Sequence, residues 1–307
     1  MTTILKTNRL GKTINGKELV SGLNMTINKG EIYGFLGPNG AGKTTVMKMI
    51  TSILKPTEGD IELFGKPLHS NSFELLKRMG SIIEYPIFYE KLTAQENMEL
   101  HCEYMGYYNK KAIGEALEMV KLTGINNKQI KEFSLGMKQR LGIARAIVTK
   151  PELLLLDEPI NGLDPVGILE MRNLFSILSK QYGITLLISS HILGEIEHIA
   201  DKIGVINQGK MVKEVTMESL RETSNDYVEI TTSEVKKACY ILSDRLHISN
   251  MKVIGENVIR VYDMSIQQNL IFKTLVMEDV PVESITQKQH SLEDYFMKLL
   301  NGGGLSA

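Results

Sequence analysis

The chain has 307 residues, 43% of them hydrophobic and 23% charged, which is enough for one large domain and a smaller one, each with its own core. A formal net charge of −1 excludes an overall basic field that would recruit nucleic acid or acidic lipid, so no nucleic-acid partner is expected. Two cysteines, Cys102 and Cys239, stand far apart without metal-ligand neighbours, which suits reduced structural thiols in a reducing compartment.

The first residues, Met1-Thr2-Thr3-Ile4-Leu5-Lys6, lack a charged head followed by a long apolar core, so no signal peptide is expected. No apolar run approaches the roughly 20 residues that cross a bilayer, and the chain is not expected to form a membrane channel itself. From the start to about residue 210, short apolar runs alternate with helical patterns, which predicts an α/β domain with a largely parallel, buried sheet. Its buried strands are predicted at 32–36, 153–156, 185–188 and 203–206.

The first of these strands runs into Gly37-Pro38-Asn39-Gly40-Ala41-Gly42-Lys43-Thr44-Thr45, and a helical pattern starts at Lys43. Strand, glycine-rich loop and helix in that order form a phosphate-binding loop. The glycines let successive backbone N–H groups curl round an anion, and the helix points the positive end of its dipole at it. Lys43 then reaches the β- and γ-phosphates, and the Thr44 hydroxyl ligates Mg²⁺. A further strand at 80–83 leads to Glu84. Between 93 and 150 the strands give way to helices at 94–104, 111–122 and 135–149, a helical subdomain inserted into the α/β core.

Within that insert, Ser134-Leu135-Gly136-Met137-Lys138-Gln139-Arg140 opens the third helix, with Ser134 as its N-cap and Gly136 keeping the entry slim. Taken alone this is a well-capped helix. The strand 153–156 ends in Asp157 and Glu158, two carboxylates at the end of the sheet where ligands of doubly wound folds bind. Asp157 is placed to hold Mg²⁺ and Glu158 to polarise an attacking water as general base. After residue 209 the predicted order is strand 227–231, helix 234–242, strands 251–254 and 258–262, helix 266–276, strand 282–286 and helix 292–300, a ferredoxin-like β-α-β-β-α-β unit. The stretch from Asn301 onward is expected to be a frayed tail.

The succession of the phosphate loop, the Ser134 to Arg140 segment, the acidic strand end, Asn161-Gly162-Leu163-Asp164 and His191 resembles the nucleotide-binding subunit of ABC transporters over about residues 2–215. The resemblance implies a phosphate-loop ATPase cassette with a RecA-like core at 1–215, its helical subdomain at 93–150, and an accessory α+β domain at 216–307. It implies ATP and Mg²⁺ as cofactors and a homodimer formed on ATP binding. In that dimer Ser134 and Gly136 of one copy face the γ-phosphate held by Lys43 of the other, and Asp164 lies at the seam. It makes His191, otherwise a plain loop histidine, a γ-phosphate sensor. It also implies a separate transmembrane permease, with this subunit cytoplasmic and peripheral on the inner face of the membrane.

Two positions depart from the family pattern. Glu84 stands where most members carry a glutamine that ligates Mg²⁺; a carboxylate can ligate the metal but lacks the amide donor, and a plain surface carboxylate is the alternative. Ile14 is the nearest match to the aromatic that stacks on adenine. Glu84, together with Phe133 to Met137, resembles the bacitracin-resistance and lantibiotic-immunity ATPases, which implies export of, or resistance to, a peptide antibiotic. Another export system is the alternative, and a further one is a soluble relative acting on ribosomes or nucleic acid, although such relatives usually carry two cassettes or a long coiled coil. The segment His290 to Phe296 resembles the closing segment of the same group, or is simply an amphipathic last helix.

Overall fold

A computed structural model describes residues 2–69, 71–124, 128–223, 227–263, 265–288 and Phe296. Two compact units emerge, Met1–Met217 and Glu218–Lys298.

The first unit is built on a six-stranded sheet. Its order is Lys210–Thr216, Lys202–Asn207, Ile32–Leu36, Thr185–Ser190, Leu153–Leu156 and Met79–Ile82. All neighbours are parallel except the edge strand Lys210–Thr216, which pairs antiparallel with Lys202–Asn207. Every residue of the three central strands is buried, which is why they read as unbroken apolar runs.

A second sheet, absent from the sequence reading, precedes and flanks this one. Lys17–Asn28, Thr3–Ile14, Glu58–Leu63 and Lys66–Pro67 form it in that order, with every pairing antiparallel. The parallel α/β pattern predicted from the start of the chain therefore begins only at Ile32. Leu5, Leu10, Leu23, Met25 and Ile27 of this sheet share one core with Tyr33, Phe35, Leu155 and Leu187 of the other and with Met47 of the helix Lys43–Ile50. Each such side chain contributes about 2 kcal/mol of apolar burial. The Tyr33 hydroxyl, buried in the seam, donates to Glu214 Oε1 at 2.8 Å, and Glu214 is paired with Lys202 at 3.0 Å. Burial and the neighbouring carboxylate push the tyrosine well above its ordinary pKa.

The helices Ala94–Met105, Lys110–Met119 and Leu135–Ile147 occupy the stretch predicted as helical. Thr93 and Glu96 form a capping box at the start of the first, and Gly106, at φ 64°, ends it. Asn109 and Ser134 cap the other two through side-chain oxygens. The second stops at Met119, short of the predicted 122, because Lys121 turns to φ 57°.

Close packing of the third helix on the sheet needs a glycine at position 80. A Cβ at Gly80 would lie 2.1 Å from the Ala146 carbonyl oxygen. Gly80→Ala should therefore cost about 1–3 kcal/mol and lower the thermal midpoint. An unchanged midpoint in differential scanning calorimetry would show that the helix can move aside freely.

The second unit holds strands Tyr227–Thr231, Met251–Ile254, Val258–Val261 and Ser284–Lys288 and helices Val235–Leu246 and Gln268–Met277. The sheet is antiparallel, with the second, third, first and fourth strands in line, the ferredoxin-like arrangement. Val228, Ile230, Ala238, Leu242, Ile259, Ile271 and Leu275 form its core. The fourth strand begins at Ser284, two residues later than predicted. The predicted last helix 292–300, the segment His290 to Phe296 and the tail lie outside the described residues apart from Phe296, which is buried.

Candidate functional site

The loop after Ile32–Leu36 has a shape that only its residue types allow. A Cβ at Gly37 would sit 2.3 Å from the Ile206 carbonyl oxygen, and Gly40 and Gly42 take φ of 79° and 108°. Helix Lys43–Ile50 starts from Gly42 with no side-chain cap, so its first N–H groups are left for an anion. Lys43, 5% exposed, donates from Nζ to the carbonyls of Gly37 (2.7 Å) and Pro38 (3.2 Å), and the same ammonium lies 3.2 Å from Glu158 Oε1.

Two strand ends meet this loop. Thr44 donates to Asp157 Oδ2 at 2.7 Å, and Ser189 donates to Asp157 Oδ1 at 2.6 Å. Glu158 adopts φ 46°, a left-handed conformation costing about 1 kcal/mol for a non-glycine residue. Its backbone N–H donates to Ser189 Oγ at 2.9 Å. The carboxylate is then aimed back at the loop, with His191 Nδ1 at 3.2 Å and Asn161 Nδ2 at 3.3 Å from Oε2. Lys43, Thr44, Asp157, Glu158 and His191 are thus brought together at one loop end. Ser189 was missed, although a Ser-Ser-His run at a strand end is a usable signal, and Asn161 was named only within its motif, with no role of its own.

A cavity of about 550 Å³ opens over the loop, lined by Asn39, Gly40, Gly42, Lys43, Thr44, Thr45 and Glu158, and at its far end by Lys17, Glu18, Leu19, Gln208 and Gly209. Ile14 does not line it. At that far end Lys17, Glu18 and Leu19 of the missed antiparallel sheet meet the turn at Gln208 and Gly209, where Ser21 N–H donates to Gly209 O and Gly209 N–H to Ala41 O, both at 2.9 Å.

Ser134, Gly136 and Asp164 are brought together elsewhere. They line a separate depression of about 530 Å³ with Gly162 and Leu163. Ser134 Oγ accepts from Met137 N–H at 3.3 Å, and Asp164 Oδ1 accepts from Gly167 N–H at 2.8 Å to cap helix Pro165–Lys180. A Cβ at Gly136 would find only a Leu163 methyl at 3.5 Å, so the chain's own packing does not demand glycine there. Glu84, at φ 63° and with its side chain 60% exposed, pairs with Lys48 Nζ at 2.6 Å and not with Thr44 or Asp157.

A hydroxyl beside a buried carboxylate is a hard-oxygen pair that suits Mg²⁺, which keeps waters and takes phosphate oxygens as further ligands. Among the described residues no group of three or more His, Cys, Asp or Glu could hold a metal unaided. No helix of the described residues is long and apolar enough to cross a membrane.

Loop, acidic strand end and histidine on a mixed α/β core define a phosphate-loop nucleotide-binding cassette. The family model described as ABC transporter matches residues 20–161. The chain is 59% identical to the uncharacterized ABC transporter ATP-binding protein YcbN of Bacillus subtilis (strain 168), over 100% of both chains. It is 46% identical to the bacitracin transport ATP-binding protein BcrA of Bacillus licheniformis, over 99% of both. Among solved structures, the dimeric post-hydrolysis state of the ATP-binding cassette MJ0796, bound to ADP and Pi, matches with a TM-score of 0.63 and 25% identity, over 70% of this chain and 99% of that one. The chain belongs to the ATP-binding proteins of the ABC transporters and is an ATPase subunit of that family.

Proposed function

We propose that this subunit drives a separate membrane-spanning permease which expels, or protects against, a peptide antibiotic of the bacitracin type. The observation that carries the ATPase half of this reading is the convergence of Lys43, Asp157, Glu158 and His191 on one loop end. The antibiotic half is supported by the likeness to BcrA, which runs through both units of the chain.

In this reading, the loop N–H groups and Lys43 hold the β- and γ-phosphates. Thr44 and Asp157 would hold Mg²⁺, which would neutralise charge on the phosphate oxygens, and Glu84 would join them only if its pair with Lys48 opened. Glu158 takes a proton from the attacking water, and the His191 imidazole contacts the γ-phosphate. Ser134, Gly136 and Asp164 serve the partner copy. Their depression is distinct from the one holding Lys43, and the slim Gly136 is explained by an approach from outside the chain. Two copies then close over two ATP molecules, and hydrolysis reopens them. The subunit works at the cytoplasmic face of the membrane beside its permease, with residues 216–307 as an accessory domain.

Deleting the gene and challenging the strain with a panel of peptide antibiotics tests the cargo. Sensitisation to bacitracin-type compounds, reversed by the parent but not by a hydrolysis-dead copy, is expected. Unchanged resistance to the whole panel, or co-purification with ribosomes in place of a membrane protein, would contradict it.

A further inference from the structure

Glu158 and His191 follow different strands, and a ring of contacts outside the nucleotide cavity ties one to the other. Asn161, on the loop entering helix Pro165–Lys180, donates to Glu158 Oε2. Midway along that helix, half-buried Arg172 donates from Nε to the Glu195 carbonyl at 3.1 Å and from Nη2 to the Gly194 carbonyl. Both carbonyls belong to the short helix Leu193–Ile196, which directly follows His191 and Ile192. From beneath, Ser190 Oγ donates to the buried Glu195 carboxylate and accepts from Ile192 N–H at 2.9 Å. His191 then closes the ring on Glu158 at 3.2 Å.

We propose that Arg172 is a positioning residue for ATP hydrolysis, acting through the turn after His191 to hold the imidazole in register with Glu158. The inference rests on the roles given above to Glu158 and His191. A guanidinium presents a rigid fork of N–H donors, so it can grip two successive carbonyls at once; an ammonium is a single point that does so poorly. The helix is the lever. Its first turn lies at Asp164, in the depression assigned to the partner copy, and its third carries the fork, so closure at one end is felt at the histidine. Arg172 lines neither the nucleotide cavity nor the second depression, so nucleotide affinity is spared.

Full-length chain carrying Arg172→Ala, Arg172→Lys, His191→Ala or the Arg172/His191 double alanine change should be assayed for steady-state hydrolysis, ATP binding and thermal unfolding. Arg172→Ala should lower kcat about tenfold or more and shift ATP affinity less than about twofold, with lysine restoring only part. In the His191→Ala background the same change should cost less than about twofold, because the group it positions is gone. A merely structural arginine would shift the unfolding midpoint and cost the same in both backgrounds. Parental kcat in Arg172→Ala, or a fully multiplicative loss in the double variant, overturns the proposal. Should the alanine variant not fold, Arg172→Lys is judged in both backgrounds by the same criterion. An inactive parent would sink the site reading itself. Turnover in the parent but not in Glu158→Gln, together with parental rates in Arg172→Ala, would remove only the positioning role.

Discussion

Glu158→Gln is expected to bind ATP and not turn it over. The amide keeps the shape of the carboxylate and can still meet Asn161 and His191, 3.3 and 3.2 Å from Oε2, but it cannot take a proton from water. A positioned general base contributes typically 10²–10⁴-fold, so kcat should fall at least about 100-fold. Binding should not weaken. Oε1 lies 3.2 Å from Lys43 Nζ, where it competes with a phosphate for the ammonium, and removing its charge also removes its repulsion of that phosphate. Phosphate release and equilibrium nucleotide binding, measured side by side, check both halves. Hydrolysis within tenfold of the parent would remove Glu158 as the base.

Lys43→Ala should fail one step earlier. The ammonium is 5% exposed and holds the Gly37 and Pro38 carbonyls, so it braces the loop, and in the proposed mechanism it also supplies the charge that meets the phosphates. Charge-assisted hydrogen bonds are worth about 1.5–3 kcal/mol each, and losing one weakens ATP binding by about 10- to 150-fold. Affinity for adenosine, which has no phosphate to offer, should stay within about twofold. An equal loss for adenosine and ATP in calorimetric titration would mean that the loop has collapsed, and that Lys43 is a brace more than a phosphate ligand. Arginine is not expected to rescue, because its larger planar head does not fit a nearly closed site.

How much of this was legible in the sequence depended on the range of the interactions. The loop, Ile32–Leu36 and Leu153–Leu156 were readable because a wholly buried strand is an unbroken apolar run and a phosphate cradle needs its glycines close together. The sheet holding Thr3–Ile14 was not. Its polar Lys6, Thr7, Asn8 and Arg9 interrupt the apolar signal, and irregular pairing against Lys17–Asn28 breaks the alternation that would mark a strand. With it went the far end of the cavity, since Lys17, Glu18 and Leu19 were never placed beside the loop.

Partners set by register were equally hidden. Leu156 pairs with Ile188 across parallel strands, and that single registration puts Asp157 and Glu158 next to Ser189. Glu84 could be read as a carboxylate after a strand, but its pairing with Lys48 depends on where the helix Lys43–Ile50 passes. Ser134 and Gly136 read locally as a helix cap and a slim entry, and only resemblance gave them and Asp164 a place at a dimer seam. Nothing local to those residues reveals that they lie in one depression and Lys43 in another.

In the proposed dimer, the separation of the two depressions gives each copy half of two active centres. Purified Glu158→Gln chain should be spun in the analytical ultracentrifuge with and without saturating ATP and Mg²⁺. A shift to twice the mass of one chain is expected with nucleotide, abolished when Gly136 is replaced by a bulky residue; a chain that stays monomeric, or a dimer indifferent to position 136, would contradict the shared-site dimer.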